Sequence, residues 1–216
     1  MKKLKYYTPI IIMVIIAAVV GVLLLNGTLQ VDEIIEAVQD NKPAALLVIL
    51  ALYILKGCSL GIPYAAVTVG CALVFDLPTA IIVNTVGTAL CVSVSYFVGR
   101  FSKGITLDMI FDRWPKFRTY FENASNYSFT FCYSVHALHL SMEVQGVVFG
   151  LLRTPYWAYL AGSLLALAPS MLCYSVIGDE LDFTNPLFIV FLVFDALVLI
   201  SGLYYAKRNI IDGGKK

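Results

Sequence analysis

Between positions 78 and 99 this chain carries no charged residue (PTAIIVNTVGTALCVSVSYFVG), and 187–206 carries one, Asp195. A run of about 20 apolar residues matches the hydrocarbon thickness of a bilayer when helical. Positions 155–177 form a third such run. Composition decides between a membrane and a deep soluble core. The chain is 60% hydrophobic and 13% charged, against about 45–50% and about 25% in soluble domains. There is too little polar surface to cover a globule, so an all-α integral membrane protein is expected.

Other apolar stretches are long enough in total but interrupted. Positions 44–55 and 64–75 flank KGCSLGIP, with Gly61 and Pro63, and each half falls well short of the roughly 20 residues a span needs. Positions 127–152 are apolar except for a cluster that holds both histidines, His136 and His139, with Glu143. Two short helices around a tip read as a re-entrant hairpin. Broken backbone at membrane depth is tolerated only where protein or a water-filled cavity covers it.

Charge orients these segments. The N-terminal run to position 27 has no A-x-A cleavage site and reads as an uncleaved signal anchor. With the N-terminus in the cytoplasm, helix 1–27 crosses outward, and an amphipathic external segment, 28–43, leads into hairpin 44–75. Helix 78–99 returns inward to a cytoplasmic loop, 100–125. Hairpin 127–152 enters from inside, helix 155–177 crosses out, helix 187–206 crosses back, and 207–216 is a cytoplasmic tail. Of the 15 Lys and Arg residues, all but Lys42 and Lys56 then fall inside, as the positive-inside rule demands.

The two hairpin-plus-helix units resemble one another. VGCALVFDLPTA, with Gly70, matches FGLLRTPYWA, with Gly150: glycine, apolar residues, then a charge two before a proline, Asp76 with Pro78 and Arg153 with Pro155. Gly87, Cys91, Ser95 and Gly99 recur every fourth residue; Gly162, Ala166, Ser170, Tyr174 and Gly178 do so around Pro169. Small residues at this spacing let helix backbones approach closely. Units of this kind entering from opposite sides make an inverted repeat of broken helices, an architecture of transporters with the site near the midplane.

IPYAAVTVGCALVFDLPTAIIVNTVGTALCVSVSYFVGRF, ending Tyr96-Phe97-Val98-Gly99-Arg100, resembles the central domain of the DedA / SNARE-associated Golgi protein (VTT-domain) superfamily. FGLLRTPYWAYLAGSLLALAPSMLCYSVIG resembles its second half, so the likeness covers about 60–180. The second hairpin departs from the pattern. Where the family has R-x-x-P-x-x-P and then N-x-x-x-G, this chain reads VHALHLSMEVQGVVFG: Val135 or His136 stands near the arginine, the prolines are absent, and Gly146 takes the asparagine's place. The acidic residue that some members carry in the first hairpin is not evident, and Lys56 lies nearby instead. The resemblance implies movement of phospholipid or lipid-linked phosphate head groups between leaflets, or transport driven by the membrane potential.

Each charge at bilayer depth costs roughly 2.5–3.5 kcal/mol on insertion scales and is therefore a site candidate. Lys56 and Glu143 belong to opposite hairpins, which an inverted repeat brings together; they either line a path or form a structural pair. The spacing H-x-x-H-x-x-x-E puts His136, His139 and Glu143 along one helical face. Those histidines suit a proton-coupled cycle, polar contacts between helices, or a metal site, which would need three or four ligands. Arg100 and Arg153 stand at cytoplasmic boundaries, suited to anchoring on, or guiding, lipid phosphate. Asp195 is expected to face the bundle and pair with Lys56 or a histidine.

No G-x-S-x-G, HExxH or P-loop occurs, and the five cysteines form no C-x-x-C pair. The expectation is a non-enzyme without metal or cofactor, in the plasma membrane. Its expected partners are lipids, with protons or a small anion as co-substrates, no nucleic acid, and room for a homo-oligomer. Lipid translocation leads; a proton-coupled solute or anion transporter and a membrane assembly factor acting through the basic loop with Trp114 are the alternatives.

Overall fold

The computed structural model describes residues 41–59, 61–102, 128–180 and 185–206, with three further positions, Ile15, Val19 and Val22, each helical and exposed. The rest of the N-terminal anchor, the external segment up to position 40, the loop at 103–127 and the tail lie outside the described residues.

The described residues hold seven helices and no strand. These are α1 (Lys42–Cys58), α2 (Tyr64–Val74), α3 (Leu77–Phe101), α4 (Ser128–His136), α5 (Met142–Leu151), α6 (Tyr156–Glu180) and α7 (Pro186–Ala206). Three of them, α3, α6 and α7, are long and apolar enough to cross a membrane. Prolines mark several starts, because proline at the first helical position lacks only an N–H that has no partner there. Pro43, Pro78 and Pro186 stand in first turns. Asn41 accepts from the Ala44 N–H at 3.2 Å. Asp76 caps α3, accepting from the Thr79 hydroxyl at 3.0 Å and its N–H at 3.4 Å. Those bonds, with a small contribution from Lys42, hold the Asp76 carboxyl below its usual range. The starts of α1 and α3 are therefore neighbours.

Contacts fix the helix directions. The α1 residues Tyr53 and Gly57 lie against Gly87 and Cys91, so α1 runs parallel to α3. On the same helix, α5 sets Met142 beside Cys91 (3.7 Å between sulfurs), Gly146 beside Ser95 and Gly150 beside Tyr96. Cys132 and His139 lie beside Gly162 and Ser170, so α4 follows α6. On the same long helix, α2 sets Tyr64 against Tyr174 and Val69 against Gly178. The two long helices are antiparallel: Ser93 meets Tyr156 at 2.9 Å while Asn84 meets Ser175 at 2.9 Å. Each unit's first arm thus packs on its own long helix, and its second arm packs on the other unit's. Both breaks arrive level with Cys91, near the middle of α3.

Close approach explains two glycines. A Cβ on Gly99 would enter the Val147 carbonyl, and one on Gly150 the Tyr96 carbonyl. The small-residue stripe is divided between partners: Gly87 and Cys91 receive α1, Ser95 and Gly99 receive α5. The core around Tyr53, Ile49, Ile62, Phe149 and Tyr159 fills the space between. Outside it, α7 packs on α6 and α4 and leaves Leu192, Val193, Phe194 and Ile200 exposed, as a lipid-facing helix would.

Two sequence expectations change. The first break is narrower than KGCSLGIP: α1 continues through Lys56 to Cys58. The second break divides the H-x-x-H-x-x-x-E stretch, so its three residues do not share one helical face. Helix α4 ends at His136, His139 stands in a turn at φ 50°, and Glu143 lies in the first turn of α5. A shared face at that spacing requires a continuous helix, which the turn at 137–139 removes.

Candidate functional site

Lys56 and Glu143 form an ion pair where the two breaks meet. Both are buried, 6% and 2% exposed. Lys56 lies in the last turn of α1 and Glu143 in the first turn of α5. Each charge therefore occupies the helix end whose unpaired backbone groups favour it: a cation at a C-terminus, an anion at an N-terminus. The Ser141 hydroxyl donates to the second Glu143 oxygen at 2.7 Å. Desolvating two charges is repaid only with such geometry and extra hydrogen bonds. Nearby in sequence, Gln145 donates to the Val135 carbonyl at 3.1 Å, and its buried Oε1 has no hydrogen-bond partner among the described residues.

The histidines serve different neighbours. His136 is enclosed: Nδ1 lies 2.9 Å from the Cys132 carbonyl and Nε2 3.2 Å from the Ser163 hydroxyl. Its ring stacks on Phe149 (5.6 Å between centroids) and meets Tyr159 edge-on. His139 is partly open and faces α6 and α7: Nε2 lies 2.8 Å from Ser170 Oγ and 3.3 Å from Asp195 Oδ1. Asp195 thus pairs with a histidine. Among the described residues no three His, Cys, Asp or Glu side chains are grouped as a metal site.

Arg100 and Arg153 are both exposed. They share one end of the bundle, since Gly150 abuts the Arg100 N–H and the Tyr96 hydroxyl donates to the Thr154 carbonyl at 2.5 Å. Arg153 sits at φ 55°, just past α5. The Thr154 N–H returns to the Phe149 carbonyl and the Arg153 N–H to the Gly150 carbonyl, the C-terminal bonding pattern that usually places glycine where Arg153 stands. Among the remaining candidates, Gly61 is exposed in the first break with its N–H donating to Ser59 Oγ (3.1 Å), Pro63 caps α2, Gly70 is buried in α2, Pro155 precedes α6 and Pro169 lies inside it.

Sequence reasoning missed a buried uncharged network in the first unit. Tyr53 donates to Asn84 Oδ1 at 2.8 Å and sits 3.0 Å from the Thr68 hydroxyl. The Asn84 amide donates to the Thr68 carbonyl at 3.1 Å and to Ser175 Oγ at 2.9 Å. Tyr64 and Thr88 pair at 2.7 Å. An amide one turn before a threonine, inside the apolar run at 78–99, was the available signal.

Compared with known families, the chain matches the model of the VTT domain over residues 62–180. No curated protein and no solved structure matches it.

Proposed function

Because this chain belongs to the VTT-domain family, the domain of DedA and SNARE-associated Golgi proteins, we propose that it moves phospholipid or lipid-linked phosphate head groups between the leaflets of the plasma membrane, with both termini cytoplasmic. In this reading the helix–break–helix units are re-entrant hairpins entering from opposite faces, an inverted repeat whose breaks meet at mid-depth. The antiparallel long helices and the crossed packing of the second arms support it.

The observation that carries the proposal is the buried Lys56–Glu143 pair at that meeting point. A head-group phosphate can replace Glu143 on the Lys56 ammonium, with Ser141 continuing to donate to the released carboxylate. Arg100 and Arg153, exposed at one end, offer bidentate phosphate binding at the entrance. No covalent step is involved.

The test is exchange of fluorescent lipid in proteoliposomes. Wild-type protein should accelerate it over empty vesicles, and Lys56→Met and Glu143→Gln should each slow it tenfold or more. Wild-type exchange no faster than in empty vesicles, or both variants at the wild-type rate, would refute the proposal. Solute flux appearing only with a proton gradient would favour coupled transport instead.

A further inference from the structure

Hydrogen counting at His139 gives a result the lipid path does not need. Nδ1 faces the Ala137 carbonyl at 3.0 Å, and a carbonyl only accepts, so Nδ1 carries a hydrogen. Ser170 Oγ has one hydrogen and donates it to Asp195 Oδ1 at 2.5 Å. Nε2 nevertheless lies 2.8 Å from that same oxygen and 3.3 Å from Oδ1. With a neutral ring, its lone pair would face a lone pair and a carboxylate. The arrangement closes only if the three groups hold one further hydrogen, and between a carboxylate and an imidazole the stronger base, Nε2, takes it. The three groups then hold one proton more than neutral histidine and ionised aspartate supply.

We propose that His139, Ser170 and Asp195 form a site for a single proton, which clasps the second break to the last helix and thereby controls the break that carries Glu143. Asp195 lies in α7, beyond the residues matched to the VTT domain. The titratable groups facing the site are few. From α6, Cys173 and Tyr174 lie within Coulomb reach of Asp195. From α4, Tyr133 is bonded to Ser201 of α7 at 2.8 Å, and from α5, Glu143 is already paired with Lys56. None of these offers His139 a competing counter-charge. Backbone geometry supports a clasp that can open: His139 stands at φ 50°, left-handed backbone that is sparsely populated for residues with a Cβ. Loss of the proton removes the Nε2–H that ties the ring to Ser170 and Asp195 and frees the turn, so alkaline conditions release the break and acid conditions hold it.

The control of head-group movement rests on the function proposed above; the proton site itself does not. Full-length protein in nanodiscs, labelled with nitrogen-15 histidine, gives two ring systems because the chain has two histidines, and His139→Gln assigns them. Under mildly acidic conditions the His139 ring should carry hydrogen on both nitrogens, and in Asp195→Asn, which preserves shape, the same conditions should leave it on one. Asp195→Ser, which also removes the carboxylate, is the second variant should Asp195→Asn fail to fold, and it should show the same loss. A singly protonated His139 in the wild type, or a ring unaffected by the variants, would overturn the site. Lipid exchange should rise several-fold from mildly acidic to mildly alkaline pH, and the rise should vanish in His139→Gln and Asp195→Asn. Exchange that is fast but independent of pH would overturn the control while leaving the head-group reading intact. Absence of exchange at every pH would overturn both the head-group reading and the control, with the proton site still decided by the ring signals.

Discussion

The break of the first unit, between α1 and α2, brings one charge to the site, Lys56, and is otherwise backed by uncharged groups: Tyr53, Thr68 and Ser175 use the amide of Asn84 completely. The break of the second unit, between α4 and α5, is held by Glu143 on Lys56, by His139 on Ser170 and Asp195, and by a residue at positive φ. The only non-glycine residues with positive φ among those described, His139 and Arg153, both belong to the second unit. A saturated neutral network has no state to change to when pH or a head group changes. Ion pairs and strained turns do. Under the proposed function, the first unit would be the more fixed side of the site, apart from Lys56, and the second unit the responsive one.

Two substitutions sharpen that contrast. Asn84→Ala strips the first unit of its central amide and leaves buried polar groups of α1, α2 and α6 without a partner, at a cost of about 1–3 kcal/mol. Thermal inactivation in detergent should show the loss, together with looser packing at Tyr53. If Ser163→Ala, which removes the hydroxyl beside His136, proved equally costly, the two units would not differ as described. A smaller effect of opposite sign is expected at Arg153. Its left-handed backbone carries a penalty of roughly 1–2 kcal/mol that glycine escapes, and glycine returns part of that gain through unfolded-state entropy. Arg153→Gly should accordingly raise stability by about 0.5–1 kcal/mol in the same assay. It should also slow lipid exchange if the guanidinium recruits phosphate. Destabilisation by Arg153→Gly would remove strain from the account of the second unit.

Much of this was legible in the sequence, because hydrocarbon thickness is a ruler. The runs at 78–99, 155–177 and 187–206 met that ruler and correspond to α3, α6 and α7. The halves on either side of KGCSLGIP were too short for it, and they form α1 and α2. The internal likeness of the units sufficed to bring Lys56 and Glu143 into one argument. What failed was periodicity across the second break. No glycine or proline marks 137–141, and the residue that takes the left-handed turn is a histidine, so nothing in ALHLS announces that the helix stops. The Asn84 network was illegible for a different reason: its partners come from three other helices, and their meeting depends on the crossed packing of the units rather than on any local pattern.

The depth of the two breaks carries the whole account. Gly61 in the first and Leu140 in the second are both exposed, so a spin label at either position can be introduced without entering the core. In proteoliposomes, both labels should report bilayer-centre depth together with access to a water-soluble relaxant, as breaks lining a shared aqueous site require. Labels at head-group depth, or at the centre but reached only by oxygen, would contradict a translocation path between the hairpins.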